Sequence, residues 1–303
     1  MTIFVKKVFF IAYYIAKCYD KSMKYIKNKS IIIDCEDDFD IKQTLDCGQI
    51  FSYKLQDDNS YLVVSMDKWA RITSSGKQVT IESKDIDYFK TFFDLDTDYT
   101  LIRQQLVDTY PDFAKFFVGG LGIRILKQDK CQTIISFIVS ANNNIKRIKK
   151  ILFAMSQKCG KRLLPDIYSF PTLKELSPLT LEDYRALGLG YRSEYMVDTV
   201  KALMSKEYDL DKLSLLPTID LKKKLLSLKG VGPKVADCIL FFGFGRTDVF
   251  PVDTWIRKSY SMFCKEKRSD KQISSFFVNM FGKNSGYAQQ YIFNYMITTF
   301  SDK

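Results

Sequence analysis

Apolar and polar residues alternate along the first part of the chain and recur at helical spacing along the rest. From about Ile31 to Glu82 the period is two, in IFSYKL, YLVVSM, WARIT and VTIE, with DDNS and SSGK as turns. This alternation predicts an antiparallel meander. The segment KDIDYFKTFFDL predicts a helix, and a second helix around Leu101 to Val107 is expected to pack against the sheet.

Helical patterns dominate after the glycine-rich sequence at Gly119 to Gly122. Helices are predicted in NIKRIKKILFAMSQKCG, in TLKE with its capping box at Thr172, in LEDYRAL, SEYMVDTVKALM, LKKKLLSL and KVADCILFFGFG, and around Tyr287 to Thr299. The fold class is therefore predicted as α+β. We expect an N-terminal extension over 1–30, an antiparallel β-sheet domain with flanking helices over 31–122, and an all-α domain over 123–303.

Composition points to a polyanionic partner and narrows the possible chemistry. The 303 residues include 46 Lys+Arg against 35 Asp+Glu, a net charge of +11, which favours nucleic acid over a membrane as partner. Histidine is absent, which excludes imidazole bases, Ser-His-Asp triads and His-ligated metal sites. The scattered cysteines form no CxxC pair, which indicates reduced thiols in a cytoplasmic protein.

The N-terminal sequence MTIFVKKVFFIAYYIAKCYDKS is the one candidate for a targeting signal. Its apolar run is too short to span a bilayer and no small-residue cleavage site follows, so a signal peptide is the less favoured interpretation. Residues 1–22 are expected to be a dispensable extension or the product of a start assigned too early.

The sequence LKKKLLSLKGVGPKVADCILFFGFG predicts two helices joined by a tight glycine turn. Gly230 and Gly232 allow unusual backbone angles and a close approach, and Pro233 suits the first helical position. The amides of Gly230, Val231 and Gly232 can hold a phosphate oxygen of DNA. A plain helix connection is the alternative, but the downstream lysine and aspartate favour a functional hairpin.

Lys234 and Asp253 are the candidate catalytic residues. Lys234 lies in the first turn of the second helix, where the helix dipole and desolvation are expected to favour a neutral, nucleophilic amine. Cys238 lies one turn further on the same face. In FPVDTWI, Asp253 is the expected N-cap of another helix, worth about 1 kcal/mol. A carboxylate there can also stabilise cationic charge on a sugar ring.

LKGVGPKVADC followed by FPVDTWI resembles the helix-hairpin-helix DNA glycosylase superfamily, in the form with a catalytic lysine. CGQIFSY, SFIVSANNNIKRI and LGLGYRSEY extend the resemblance to the eukaryotic-type 8-oxoguanine DNA glycosylase family, which has bacterial members. The resemblance implies that a damaged base is flipped out of duplex DNA and excised by attack of the lysine on C1′, followed by β-elimination. It implies a cytoplasmic monomer that acts on damaged double-stranded DNA at the nucleoid, without a membrane, metal or organic cofactor.

The resemblance assigns the base-binding residues one by one. Gly48 in CGQ falls on the glycine whose carbonyl accepts the N7 hydrogen of 8-oxoguanine, which guanine lacks; by itself it would be an ordinary turn glycine. Cys238 and Phe293 are expected to sandwich the base, and Gln289 to meet its Watson–Crick edge. Gln289 is chosen over Gln290 because it lies four residues before Phe293, on the same helical face.

A second group of residues is assigned to the opposite strand. Asn142 matches the residue that fills the space left by the flipped base, and Tyr191 matches the wedge beside it. Arg147 and Arg192 match the pair that reads the estranged cytosine, and Arg185 matches an assisting arginine.

One departure and two alternatives accompany this interpretation. Trp255 stands where many family members have a histidine two residues after the aspartate, so the contacts of that histidine are absent or replaced. One alternative is a glycosylase of the same superfamily that acts on another damaged base, which the predicted base contacts disfavour. The other is a noncatalytic helix-hairpin-helix DNA-binding module, which leaves Lys234 and Asp253 together unexplained.

Overall fold

An antiparallel sheet forms the first part of the chain in the computed structural model, which describes residues 24–27, 30–34, 39–76 and 78–300. The six strands have the spatial order β1-β2-β6-β5-β4-β3. They are β1 Lys24–Lys27, β2 Ser30–Asp34, β3 Tyr53–Leu55, β4 Tyr61–Ser65, β5 Lys68–Ser75 and β6 Gln78–Glu82. The predicted meander is confirmed. The sheet begins earlier than predicted, because β1 lies within the segment assigned to the extension. Residues 1–22, with the targeting interpretation, lie outside the described residues.

Alternate residues of the strands build the sheet's core. Val63, Ile72, Val79 and Ile81 are fully buried there. The helices α1 Ile41–Asp46 and α2 Ile86–Phe92 lie in the same part of the chain, and α2 contacts β2 and β6. The period of two thus places one face of the sheet in the core, as alternation requires.

The second predicted helix forms as α3 Tyr99–Thr109, but its predicted packing against the sheet is wrong. Tyr99, Ile102 and Leu106 belong to the core of the helical part. The following 3₁₀ segment Pro111–Phe117 contacts both α3 and the C-terminal helix. Periodicity fixes which face of a helix is apolar, but it does not fix which neighbour covers that face.

The rest of the chain is helical, as predicted. The helices are α4 Lys130–Ser140, α5 Ile145–Cys159, α6 Leu173–Leu176, α7 Leu181–Ala186, α8 Arg192–Leu203, α9 Leu210–Leu213, α10 Thr218–Leu226, α11 Pro233–Phe244, α12 Thr254–Ser259, α13 Asp270–Phe281 and α14 Ser285–Phe300. Further 3₁₀ segments are Lys206–Tyr208, Tyr260–Met262 and Gly282–Asn284, and a small hairpin not predicted from the sequence pairs β7 Arg162–Leu164 with β8 Ile167–Tyr168. In the described parts of the chain, no helix is long and apolar enough to cross a membrane.

Helix α4 is the centre of the helical part. It contacts α5, α8 and α11, and every side chain from Gln132 to Val139 is buried. The predicted capping box at Thr172 is present at the start of α6, with reciprocal bonds to Glu175. A helix that is covered on all sides positions the shorter helices around it, including α11 with Lys234.

The side chain of Gln49 joins the loop after α1 to the strand-like segment before α4. Gln49 is 0% exposed. Its Nε2 donates to the carbonyls of Thr44 and Arg124 at 2.8 Å each, and its Oε1 accepts from the amide of Leu126 at 2.8 Å. The backbone of residues 47–51 is thereby held against residues 124–126 by paired, buried polar groups.

Gln49→Ala is expected to destabilise the protein by about 2–4 kcal/mol, because it leaves buried carbonyl and amide groups without partners. The matched control is Gln104→Ala, since Gln104 is exposed and donates only to Asp108 on the surface of α3. The control should stay within about 0.5 kcal/mol of the parent protein. Urea unfolding midpoints test this, and equal midpoints for the two variants would contradict it.

Candidate active site

The turn between α10 and α11 is closed on one side and open on the other. Gly230 has φ +82°, and a Cβ there would lie 2.4 Å from Cδ2 of Tyr195. At Gly232, the N-cap of α11, an added Cβ would have no described heavy atom within 4 Å. The amide of Val231 already donates to the carbonyl of Leu228 at 3.1 Å, so the structure does not support it as a phosphate donor. The phosphate contacts of Gly230 and Gly232 stay predictions.

An ion pair inside the hairpin, missed in the sequence, ties its two helices together. Nζ of Lys222 in α10 lies 2.5 Å from Oδ1 of Asp237 in α11, where the carboxylate is buried. Burial raises the pKa of Asp237, and Lys222 opposes that effect. The second residue of LKKKLLSL, Lys222, carries no local signal for such a partner, so only the packing of the helices reveals it.

Lys234 is the second residue of α11 and is solvent-exposed. Its Nζ lies 5.6 Å from the ring centroid of Phe137, which comes from α4. Cys238 is the main cause that raises the pKa of Lys234; Asp253 adds to it, against desolvation, which lowers the pKa. The prediction of a neutral amine is therefore wrong for the protein alone, because the neighbouring acidic groups outweigh desolvation. Lys234 is an ammonium that must lose a proton before it can act as a nucleophile.

Asp253 is the N-cap of α12, as predicted. Its Oδ1 accepts from the amide of Ile256 at 2.8 Å. Desolvation by burial raises the pKa of Asp253, although the amide of Ile256 and the charge of Lys234 both act to lower it. Two residues on, Trp255 is half-buried, and Nζ of Lys258 lies 4.6 Å from the centroid of its rings. The carboxylate is thus fixed by the helix end and held near the amine.

Gly48 and Phe293 are brought together although they are far apart in the sequence. Gly48 has φ +79°, a left-handed conformation that favours glycine, and an added Cβ would lie 3.5 Å from Cε1 of Phe293. Cys238 is buried and its pKa is raised by that burial, so it remains a thiol at neutral pH. Phe51, three residues after Gly48, packs edge-on against Phe137 at 5.7 Å between ring centroids. The loop with Gly48 and the amine of Lys234 therefore border the same aromatic ring.

The two neighbouring glutamines on α14 have different roles. Gln290 donates from Nε2 to the carbonyl of Cys47 at 2.7 Å and so holds the loop that carries Gly48. Gln289 is only 6% exposed, and its Oε1 has no hydrogen-bond partner among the described residues. A buried, unpaired amide oxygen is costly unless a ligand satisfies it. This contrast favours Gln289 as the ligand-binding residue, and its predicted contact with the base stays a prediction.

Arg192 holds the loop between α4 and α5. It is 2% exposed, and its guanidinium donates to the carbonyl of Ala141 at 2.8 and 2.5 Å and to that of Asn142 at 2.7 Å. Its Cζ also lies 4.4 Å from the ring centroid of Tyr191. Most of its donors are therefore engaged by the loop. Contact with an estranged cytosine stays a prediction, which only the remaining donors could fulfil.

The other residues assigned to the opposite strand are exposed. Asn142 is exposed and has φ +49°, in the left-handed region, and Tyr191 is 54% exposed. Nη2 of Arg147 donates to the carbonyl of Gly188 at 3.0 Å, beside the loop that carries Tyr191. Asn142 in the loop, Arg147 at the start of α5 and Tyr191 before α8 are thus exposed on segments that Arg147 and Arg192 link to one another. Arg185 is exposed on α7, and its described ion pair is with Glu182 at 3.8 Å.

Substitution by leucine separates the two glutamines. Gln290→Leu should lower stability by about 1–3 kcal/mol, because it leaves the buried carbonyl of Cys47 without a donor. Gln289→Leu should be neutral or stabilising, since an apolar group replaces an unpaired buried oxygen of similar volume. Thermal unfolding midpoints of both variants test this. A loss in Gln289→Leu as large as that in Gln290→Leu would show that Gln289 is structural.

Comparisons with known proteins agree with this geometry. Residues 31–134 match the N-terminal domain of 8-oxoguanine DNA glycosylase, and residues 135–280 match the HhH-GPD superfamily of base excision DNA repair proteins. A probable N-glycosylase/DNA lyase of Methanothermobacter thermautotrophicus is 29% identical over 243 residues, 72% of this chain and 75% of that protein. An N-glycosylase/DNA lyase of Arabidopsis thaliana is 35% identical over 199 residues, 60% of this chain and 54% of that protein.

A solved structure matches over nearly the whole of both chains. The 8-oxoguanine glycosylase/lyase of Clostridium acetobutylicum, in complex with double-stranded DNA containing cytosine opposite 8-oxoguanine, superposes with a TM-score of 0.85. It is 35% identical, and the match covers 91% of this chain and 98% of that one. The chain therefore belongs to the 8-oxoguanine DNA glycosylase family of the helix-hairpin-helix superfamily.

Proposed function

We propose that this protein is a bifunctional DNA glycosylase and AP lyase that removes 8-oxoguanine from duplex DNA in base excision repair, preferably opposite cytosine. The observation that carries the proposal is the cluster of Lys234, Cys238 and Asp253 beside the Gly48–Phe293 contact. The amine nucleophile and the loop that carries Gly48 border the same ring, Phe137, and the amine stands at the start of a helix whose open glycine turn can face a DNA backbone.

Lesion recognition rests on the recess. The flipped base would stack against Phe293 on one face and Cys238 on the other, while the carbonyl of Gly48 accepts the N7 hydrogen of 8-oxoguanine. Guanine presents a lone pair at N7, so two acceptors would face each other without a proton between them. The unpaired Oε1 of Gln289 supplies an acceptor for the Watson–Crick edge of the base, which carries N–H donors.

Excision begins when Lys234 loses its proton and Nζ attacks C1′. The bond from C1′ to the base breaks, its electron pair leaves with the base, and the base takes up a proton. Asp253 stabilises the positive charge that develops on the sugar. Its raised pKa, caused by burial, also increases its proton affinity, the property that a group accepting a proton from the ammonium needs.

Strand cleavage follows from the same covalent bond. Ring opening converts the C1′ adduct into a Schiff base, which makes the C2′ hydrogen acidic. Removal of that proton forms a C2′–C3′ double bond and expels the 3′ phosphate with the electrons of the C3′–O bond. Hydrolysis of the Schiff base then releases Lys234.

Lys234→Gln should abolish borohydride trapping and strand cleavage while duplex binding is largely retained, because the amine is removed and the hairpin is kept. The control is Lys229→Gln, which removes an exposed lysine of the same hairpin that pairs with Asp198. Duplexes carry 8-oxoguanine opposite each of the four bases, with unmodified and abasic duplexes alongside. Trapping by wild type and by Lys229→Gln on 8-oxoguanine, fastest opposite cytosine, is the expected result.

Other outcomes of this experiment would redirect the assignment. Full lyase activity in Lys234→Gln would overturn the catalytic role of the lysine. Trapping on abasic DNA alone would keep the lysine chemistry and point to another lesion. Binding without trapping on any duplex would favour a noncatalytic DNA-binding module.

Cys238→Ala should shift the pH dependence of lyase activity on abasic DNA to lower pH. The neutral amine forms as pH rises through the pKa of Lys234, so the rate rises over that range; Cys238 is the main cause that raises this pKa, and its removal lowers the midpoint. The control is Cys159→Ala at the end of α5. Single-turnover rates from acid to alkaline pH give the midpoints. An unchanged or higher midpoint in Cys238→Ala would refute the claim that Cys238 raises the pKa of the catalytic amine.

A further inference from the structure

A cavity of about 400 Å³ lies between the sheet and helix α5. None of the residues assigned to catalysis, base binding or DNA contact lines it. Its walls are apolar and partly aromatic, and they include Phe51, Leu62 and Val64 from the sheet part and Leu152 and Phe153 from α5. This volume and this lining are typical of sites for small organic ligands.

The rim of the cavity is basic. Lys54, Lys149 and Lys150 line it, and no acidic side chain does so among the described residues. Nζ of Lys149 lies 3.4 Å from the ring centroid of Tyr53, whose hydroxyl donates to Asp46 at 2.6 Å. Within the described part of the chain, none of the three lysines forms an ion pair. Desolvation by burial lowers the pKa of Lys149, although Asp46 opposes it.

The apolar walls and the basic rim indicate the chemical class of the ligand. Aromatic walls favour a flat ring system, since ring faces and edges pack at short distance. A half-buried ammonium without an ion-pair partner favours an anion, because a charge-assisted hydrogen bond offsets its desolvation. We propose that this cavity binds an anionic aromatic ligand: a fused-ring compound up to about the size of a mononucleotide that carries one carboxylate, sulfonate or phosphate group.

The cavity is also close to the loop that carries Gly48. Phe51 lines the cavity and packs against Phe137, the ring that Lys234 faces. Tyr53 lines the cavity and is hydrogen-bonded to Asp46, two residues before Gly48. A bound ligand would therefore contact Phe51 and Tyr53, which follow Gly48 in the chain, without reaching the position of the flipped base.

The test uses a matched pair of probes, 1-anilinonaphthalene-8-sulfonate and the uncharged N-phenyl-1-naphthylamine, which lacks only the sulfonate. The full-length protein should bind the sulfonate at one saturable site, at least about tenfold more tightly than the neutral compound. Guanosine 5′-monophosphate should compete, as a free nucleotide of the proposed class. Equal affinities for the two probes would overturn the proposal.

Variants assign the binding to this cavity. Lys149→Ala combined with Lys150→Ala should weaken sulfonate binding by at least about tenfold and leave the neutral probe little changed. Lys146→Ala is the matched control, since Lys146 is exposed on the same helix and does not line the cavity. Ser156→Phe, which fills the cavity from α5, should abolish binding of both probes. Each variant should keep the cleavage of abasic DNA, which verifies its fold.

Two further results would overturn the proposal. Sulfonate binding that the double lysine variant leaves unchanged would place the probe elsewhere on the protein. Displacement of the probe by an undamaged duplex, measured with the Lys234→Gln protein, would make the cavity part of the DNA-binding surface.

Discussion

The buried hydrogen bonds of Gln49 are the constraint on which the rest of the site depends. Its amide group bonds to backbone groups of Thr44, Arg124 and Leu126, so the loop between them has one available path. Gly48 lies on that path with φ +79°, and the direction of its carbonyl follows from it. A fully paired buried amide specifies a loop more sharply than apolar packing does, because any other position leaves several polar groups unpaired.

The electrostatics of the site come from an exposed amine beside a buried thiol and a half-buried carboxylate. Burial raises the pKa of both Cys238 and Asp253, and the same two groups raise the pKa of Lys234. The amine is therefore protonated before DNA binds, and the positive ammonium can attract the DNA backbone before any chemistry begins. Its conversion to a nucleophile requires a local acceptor for the proton, and Asp253 is the carboxylate that the structure places near it.

Local motifs were predictable and tertiary partners were not. The glycine turn, the N-cap at Asp253 and the alternation of the strands each depend on a few adjacent residues, so the sequence predicted them correctly. The partner of Asp237 and the elements that cover α3 depend on residues distant in the chain. The raised pKa of Lys234 has its main cause in Cys238, four residues away on the same helix, so there the sequence showed the neighbour but not the balance between its effect and desolvation. Gln289 was chosen by helical spacing, but its distinction from Gln290 rests on the bond from Gln290 to the carbonyl of Cys47.

The loop that carries Gly48 is built from side chains that point alternately into two cores. Leu45 and Ile50 belong to the core of the sheet, whereas Cys47 and Phe51 belong to the core of the helices. Gly48 therefore lies where the two cores meet, while Lys234 depends on the helical core alone. In the proposed function, lesion recognition requires the correct relative position of both cores. The covalent chemistry at C1′ requires only the core of the helices. This explains why a lysine and an aspartate on helix ends are joined to a sheet that contributes no catalytic group.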